Sequence, residues 1–166
     1  KVAPCDISVH PHACGERALA GEPGKIVVRF IPTRVGNGGH DHPDRRLGDF
    51  VVRNFRLAGG ETLPEVKLHY RTIGEPRKDA DGVVRNGILI LHGTGGTGRG
   101  FLSQTFGGGL FGKGQLYDAS RYFIILPDNM GHGGSSKPSD GLRMKFPQYR
   151  YTDMVRLQHR LVTEGL

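Results

Sequence analysis

The chain has 166 residues, a formal charge of +7 from 23 basic and 16 acidic groups, 36% apolar and 23% charged residues, 27 glycines and two cysteines. That length suits one domain of roughly 100–150 residues or a little more, and the composition excludes a collagen-like, disordered or disulfide-scaffold chain. No apolar run approaches the roughly 20 residues needed to span a bilayer as a helix. The basic excess is spread along the chain rather than clustered and interleaved with aromatics, so no nucleic-acid partner and no membrane partner is expected.

Residues 1–47 form one zone. It is rich in Gly, Pro, His and charged residues, and only 25–31 (Lys-Ile-Val-Val-Arg-Phe-Ile) reads as a short strand. Cys5 and Cys14, with His10 and His12 nearby, match no zinc spacing, and His40 and His42 lack a third ligand, so no metal site is expected. The first twenty residues lack the 7–15-residue apolar core of a secretory signal, which favours a cytoplasmic location. The zone is expected to be a loosely ordered extension.

Residues 48–166 are regular. Alternating apolar positions at 50–57 and 65–73, joined through Gly59-Gly60, predict an antiparallel hairpin. Two unbroken apolar runs, 87–91 and 122–126, predict strands buried on both faces, as in a parallel sheet covered by helices. The stretch 92–121 between them is long enough for a crossover that includes a helix. Residues 152–164 predict a helix with Thr152 as N-cap, Asp153 in the first turn, one face lined by Met154, Leu157, Leu161 and Val162, and Gly165 as stop. The fold class expected is α/β, an opening antiparallel hairpin followed by parallel strands with crossover helices.

Glycine makes up about 16% of the chain against a usual value of about 7%. Ten of the 27 lie between Gly93 and Gly114 and three between Gly131 and Gly134, after the two buried strands. Ligands in such sheets sit outside the carboxyl ends of the strands. The first loop, His92-Gly93-Thr94-Gly95-Gly96-Thr97-Gly98, admits several readings. Gly93-x-Gly95-x-x-Gly98 fits a dinucleotide fingerprint, but Asp128 lies 30 residues beyond Gly98 where an acidic residue about 20 on is expected. Residues 107–113 supply G-x-x-x-x-G-K, yet Gly114 stands where a P-loop needs Ser or Thr. A third reading is an oxyanion-hole loop, whose unobstructed N–H must point at developing negative charge. A tight turn with no catalytic role is the fourth. The second loop, from Asp128 to Ser135, has the form D-x-x-G-H-G-x-S.

Together with Gly48-Asp49-Phe50, Leu68-His69-Tyr70-Arg71-Thr72-Ile73-Gly74, Phe146-Pro147 and Asp153-Met154-Val155-Arg156-Leu157-Gln158, these loops make residues 48–166 resemble the N-terminal portion of the homoserine O-acetyltransferase-like branch of the α/β-hydrolase superfamily. The resemblance implies transfer of an acyl group, acetyl-CoA being a donor of the family, to an alcohol, or hydrolysis of an ester, through an acyl-enzyme and a Ser-Asp-His triad. It implies that the backbone N–H of Thr94, shaped by Gly93 and Gly95, lines the oxyanion hole. It further implies that His92, Gly96, Asp128, Gly131, His132 and Gly133 shape the site, with His132 expected to be structural rather than catalytic. No G-x-S-x-G elbow occurs in the chain, so the resemblance puts all three triad members beyond Leu166 and none of His69, His92, His132 or His159 is expected to be the general base. The chain alone is then expected to be inactive, to need a complementary C-terminal half, and to expose the edge of the strand Gly87–Leu91. A non-catalytic module holding a nucleotide or anion on the Gly93 to Gly98 loop is the alternative.

Overall fold

The computed structural model describes residues 29–30 and 45–166. Cys5, Cys14, His10, His12, His40 and His42 lie outside the described residues, as does most of the first zone. Five strands form one sheet in the order β1-β4-β5-β3-β2: β1 (Arg29–Phe30), β2 (Arg46–Arg56), β3 (Thr62–Ile73), β4 (Gly87–Leu91) and β5 (Phe123–Pro127). β2 and β3 are the antiparallel hairpin, with Val52 opposite Val66 and Phe50 opposite Leu68. β3 runs antiparallel to β5, and β4 runs parallel to β5 with Ile88 opposite Ile124.

The unbroken apolar runs are explained by a core on each face. In β5 every residue is buried, and the side chains divide by parity. Phe123 and Ile125 join Val52, Val66, Leu68 and Leu89 on one face, closed by Leu157 of α2 (Tyr151–Arg160) and by Leu161 just after it. Ile124 and Leu126 join Ile73, Ile90, Phe101, Leu102 and Phe111 on the other. Each such side chain contributes about 1.5–3 kcal/mol on full burial, which makes β5 the centre of the fold.

Three expectations are corrected. The crossover 92–121 contains no full helix: it has a 3-10 turn at Gly98–Leu102 and the four-residue α1 (Gly107–Leu110), and its glycines disfavour anything longer. The N-cap of α2 is Arg150, not Thr152. The reason is Asp153, whose buried carboxylate accepts the Arg150 N–H (2.9 Å) and the Ala58 N–H (2.8 Å), tying the helix start to the turn after β2. The helix ends in a wide turn at Leu161–Gly165, where Gly165 serves close approach: a Cβ there would lie 2.8 Å from the Phe50 ring. Finally, the β4 edge is not wholly free, because β1 pairs with it in parallel, Arg29 opposite Ile90 and Phe30 opposite Leu91.

Candidate active-site pocket

The loop after β4 starts at His92, a buried residue whose ring is held at both nitrogens. Nε2 accepts the Asn129 N–H (2.8 Å), which leaves the proton on Nδ1 to be donated to the Gly93 carbonyl (2.9 Å). Burial pushes the imidazole pKa below its ordinary 6.5. A neutral ring with its acceptor nitrogen already engaged cannot take a proton from a nucleophile, so His92 is a positioning group for the loop. Beyond it, the Gly96 N–H donates to the Gly93 carbonyl (3.0 Å) and the Gly98 N–H to Asp128 Oδ1 (2.8 Å). Within the turn closed by the first of these bonds, the N–H groups of Thr94 and Gly95 have no partner among the described residues, as is also true of Gly93 and Thr97 on either side of that turn. Gly95 adopts φ +79°, and a Cβ on Gly93 would meet nothing within 4 Å.

The loop after β5 is built around Asp128, which is fully buried. Its carboxylate pairs with Arg71 (2.8 Å) and accepts the N–H groups of Gly98 and Gly134 (both 2.8 Å). A Cβ on Gly133 would collide with this carboxylate, and one on Gly131 with the Tyr149 hydroxyl. Ser135 Oγ donates to the Asp128 carbonyl (2.6 Å) and accepts the His69 N–H (2.8 Å), while Ser136 Oγ accepts the Lys67 N–H (2.9 Å). Both hydroxyls are therefore fastening this loop to β3. His132 packs its ring edge-on to His92, with centroids 5.1 Å apart.

Between the loops and α2 lies a pocket of about 480 Å³. Of the residues singled out in the sequence, His92, Gly93, Thr94 and His132 line it; Gly95 and Gly96 continue the loop outside the lining, and Asp128, Gly131 and Gly133 stand behind it as support. The sequence reading missed the opposite wall, formed by Tyr149, Arg150, Tyr151, Met154 and Val155, and the buried amides of Asn129 and Gln158. Gln158 Nε2 donates to Asn129 Oδ1, and Asn129 Nδ2 reaches the His92 carbonyl (3.4 Å), so α2 is linked through amides to the loop after β4. A buried amide just after the β5 run was the available signal, since such a group has to find partners. His69 sits apart, its Nδ1 2.6 Å from Asp49 Oδ1, and His159 is exposed on α2.

The same geometry bears on the other readings of the glycines. A pyrophosphate on the fingerprint loop needs free N–H groups at a helix start, and the Gly98 N–H is already bound by a carboxylate. Residues 107–113 enter a four-residue helix, not a strand-to-helix phosphate loop.

No family model matches the chain. Among curated proteins it is 31% identical over 119 residues to a probable acyltransferase of Methanothermobacter thermautotrophicus, covering 69% of this chain and 35% of that protein. It is 36% identical over 112 residues to a homoserine O-acetyltransferase of Chlorobium chlorochromatii, covering 63% and 29%. Among solved structures, an acetylester hydrolase from Corynebacterium glutamicum superposes with a TM-score of 0.58 at 28% identity, covering 70% of this chain and 32% of that one. The chain thus spans about a third of the length of the relatives it matches. It is a homologue of the homoserine O-acetyltransferases within the α/β-hydrolase superfamily, and carries part of their fold.

Proposed function

We propose that the pocket between the two loops and α2 is the acyl-binding part of a serine-dependent acyl transferase or ester hydrolase. The observation that carries this reading is the N–H of Thr94, unpartnered among the described residues, on a pocket-lining residue of the loop that a neutral, doubly bonded His92 positions, with the equally unpartnered Gly95 N–H next along the loop. When a nucleophile adds to an acyl carbonyl, the carbonyl oxygen takes the electron pair of the π bond and becomes an oxyanion. Preorganised N–H groups stabilise that charge without reorganising, and one such donor is worth about 2.7–4 kcal/mol. Gly93 without a side chain leaves the approach open.

The donor in this reading is a small acyl thioester such as acetyl-CoA, and the acceptor a homoserine-like alcohol or, in hydrolysis, water. The serine, acid and base come from outside the described residues. Ser135 and Ser136 spend their hydroxyls on β3, Ser103 accepts the Phe106 N–H (3.3 Å), Ser120 donates to Asp118 (2.6 Å), and Ser139 is exposed in the short turn Pro138–Asp140, outside the pocket lining. A segment carrying the triad completes the enzyme in this reading. The test is to assay acetyl transfer from acetyl-CoA to homoserine, and hydrolysis of p-nitrophenyl acetate, on residues 1–166 and on the longest natural chain that contains them. Turnover is expected only from the longer chain. An acyl adduct on a serine of 1–166, found by mass spectrometry, would overturn the reading.

A further inference from the structure

Arg150 occupies the N-cap of α2 and lines the pocket that Thr94 also lines. Local physics disfavours arginine there twice. Its side chain carries only donors and cannot accept a helix N–H, as Ser, Thr, Asp or Asn would. Its charge also sits at the positive end of the helix dipole. Nor is the side chain needed to start the helix, because Asp153 accepts the Arg150 backbone N–H and the Asp153 N–H donates to the Arg150 carbonyl (3.0 Å).

Arg71 pairs with Asp128, Arg156 with Asp153, Arg160 with Glu164 and Lys137 with Asp140, and Arg150 is the one arginine or lysine among the residues that line the pocket. The Arg150 guanidinium makes no hydrogen bond or ion pair among the described residues.

We infer that Arg150 is an anion receptor of the pocket, binding a carboxylate or phosphate group of the substrate through charge-assisted, two-pronged hydrogen bonds. The inference rests on the acyl-transfer reading of the same pocket and narrows it to anionic substrates. The anion has two sources, a phosphate of the acyl donor or the carboxylate of the acceptor, and both present the same oxygens.

The experiment titrates the ¹⁵N-labelled 166-residue chain with two matched pairs of probes, acetyl-CoA against phosphate-free S-acetylpantetheine, and L-homoserine against L-homoserinol, which lacks the carboxylate. In one pair the charged member is expected to bind at least about tenfold tighter, and the pair that does so identifies the source. In Arg150→Thr the preference falls to within about twofold, while the neutral probe's affinity stays and the melting temperature does not fall, since threonine is the better cap. Arg150→Lys keeps part of the preference. Equal binding of charged and neutral probes, or a preference that survives in Arg150→Thr, overturns the role of Arg150. The amide signals of Thr94 and Gly95 separate the two readings. Shifts there without charge preference sink the anion receptor alone, and charge preference through Arg150 without shifts there sinks the acyl-transfer reading. Absence of binding by all four probes overturns both.

Discussion

The loops after β4 and β5 leave the sheet at the same end, the carboxyl ends of two parallel strands, and both are rich in glycine, but their glycines do different jobs. After β5, a side chain on Gly131 or Gly133 would run into Tyr149 or Asp128, and serine hydroxyls fasten the backbone to β3. After β4, Gly93 faces open space and two consecutive N–H groups go unpartnered among the described residues. A glycine that a neighbour forces is part of packing. One that no neighbour forces, beside a pocket, marks where something else approaches. The contrast separates support from site within two segments that composition alone would treat alike.

The comparison breaks most visibly at Asp128, which holds both loops. Asp128→Ala leaves Arg71 charged and largely enclosed and removes the acceptor of the Gly98 and Gly134 N–H groups. Removing one partner of a buried pair costs about 3–5 kcal/mol, a large share of a typical total of about 5–15 kcal/mol. Urea denaturation should show that loss. A change below about 1 kcal/mol would mean that the carboxylate is not the shared anchor.

A smaller effect divides the first loop itself. A Cβ on Gly98 would collide with the Leu126 carbonyl, which is backbone of the central strand and cannot step aside. Gly98→Ala is expected to cost about 1–3 kcal/mol, as overpacking does. Gly93→Ala should change stability by less than about 0.5 kcal/mol, yet weaken binding of acyl ligands by crowding the approach to Thr94. Equal thermal shifts for the two variants would erase the distinction between a packed and an open glycine.

Much of this fold was legible because periodicity reports burial. The alternation of β3 placed its Val66 and Leu68 face, and the unbroken run of β5 announced a strand covered on both sides. The position of the glycine loops followed from strand order. What the sequence could not show was assembled by distance in space. The pocket's second wall comes from Tyr149 to Val155, more than 50 residues from Thr94, and no local pattern joins them. The cap of α2 moved to Arg150 because Asp153 reaches the Ala58 N–H, 95 residues away. The crossover 92–121 was long enough for a helix, but length does not outweigh its glycines. The β1 to β4 pairing likewise depends on a long-range register.

The smallest effect concerns His92, which touches both loops, donating to the Gly93 carbonyl in one and accepting from the Asn129 N–H in the other. Because burial holds its pKa below 6.5, the unfolded chain takes up a proton at a higher pH than the folded one. Stability is then fully present above about pH 6.5 and declines as pH falls towards the folded-state pKa. Asp49 and Asp118, whose carboxyls are held below 3.8 by hydrogen bonds from His69 and Ser120, lose their contribution at much lower pH, so the two windows separate. Melting temperature measured from pH 7.5 down to 5 should fall in the native chain and stay flatter in His92→Gln, whose amide oxygen can still accept the Asn129 N–H. Ring ¹⁵N shifts supply the direct check: a protonated Nδ1, a bare Nε2 and a titration midpoint under 6.5. A midpoint above it would mean that the folded chain favours the protonated ring, and Nε2 could then not be the acceptor of the Asn129 N–H, because a protonated Nε2 would point a donor at it.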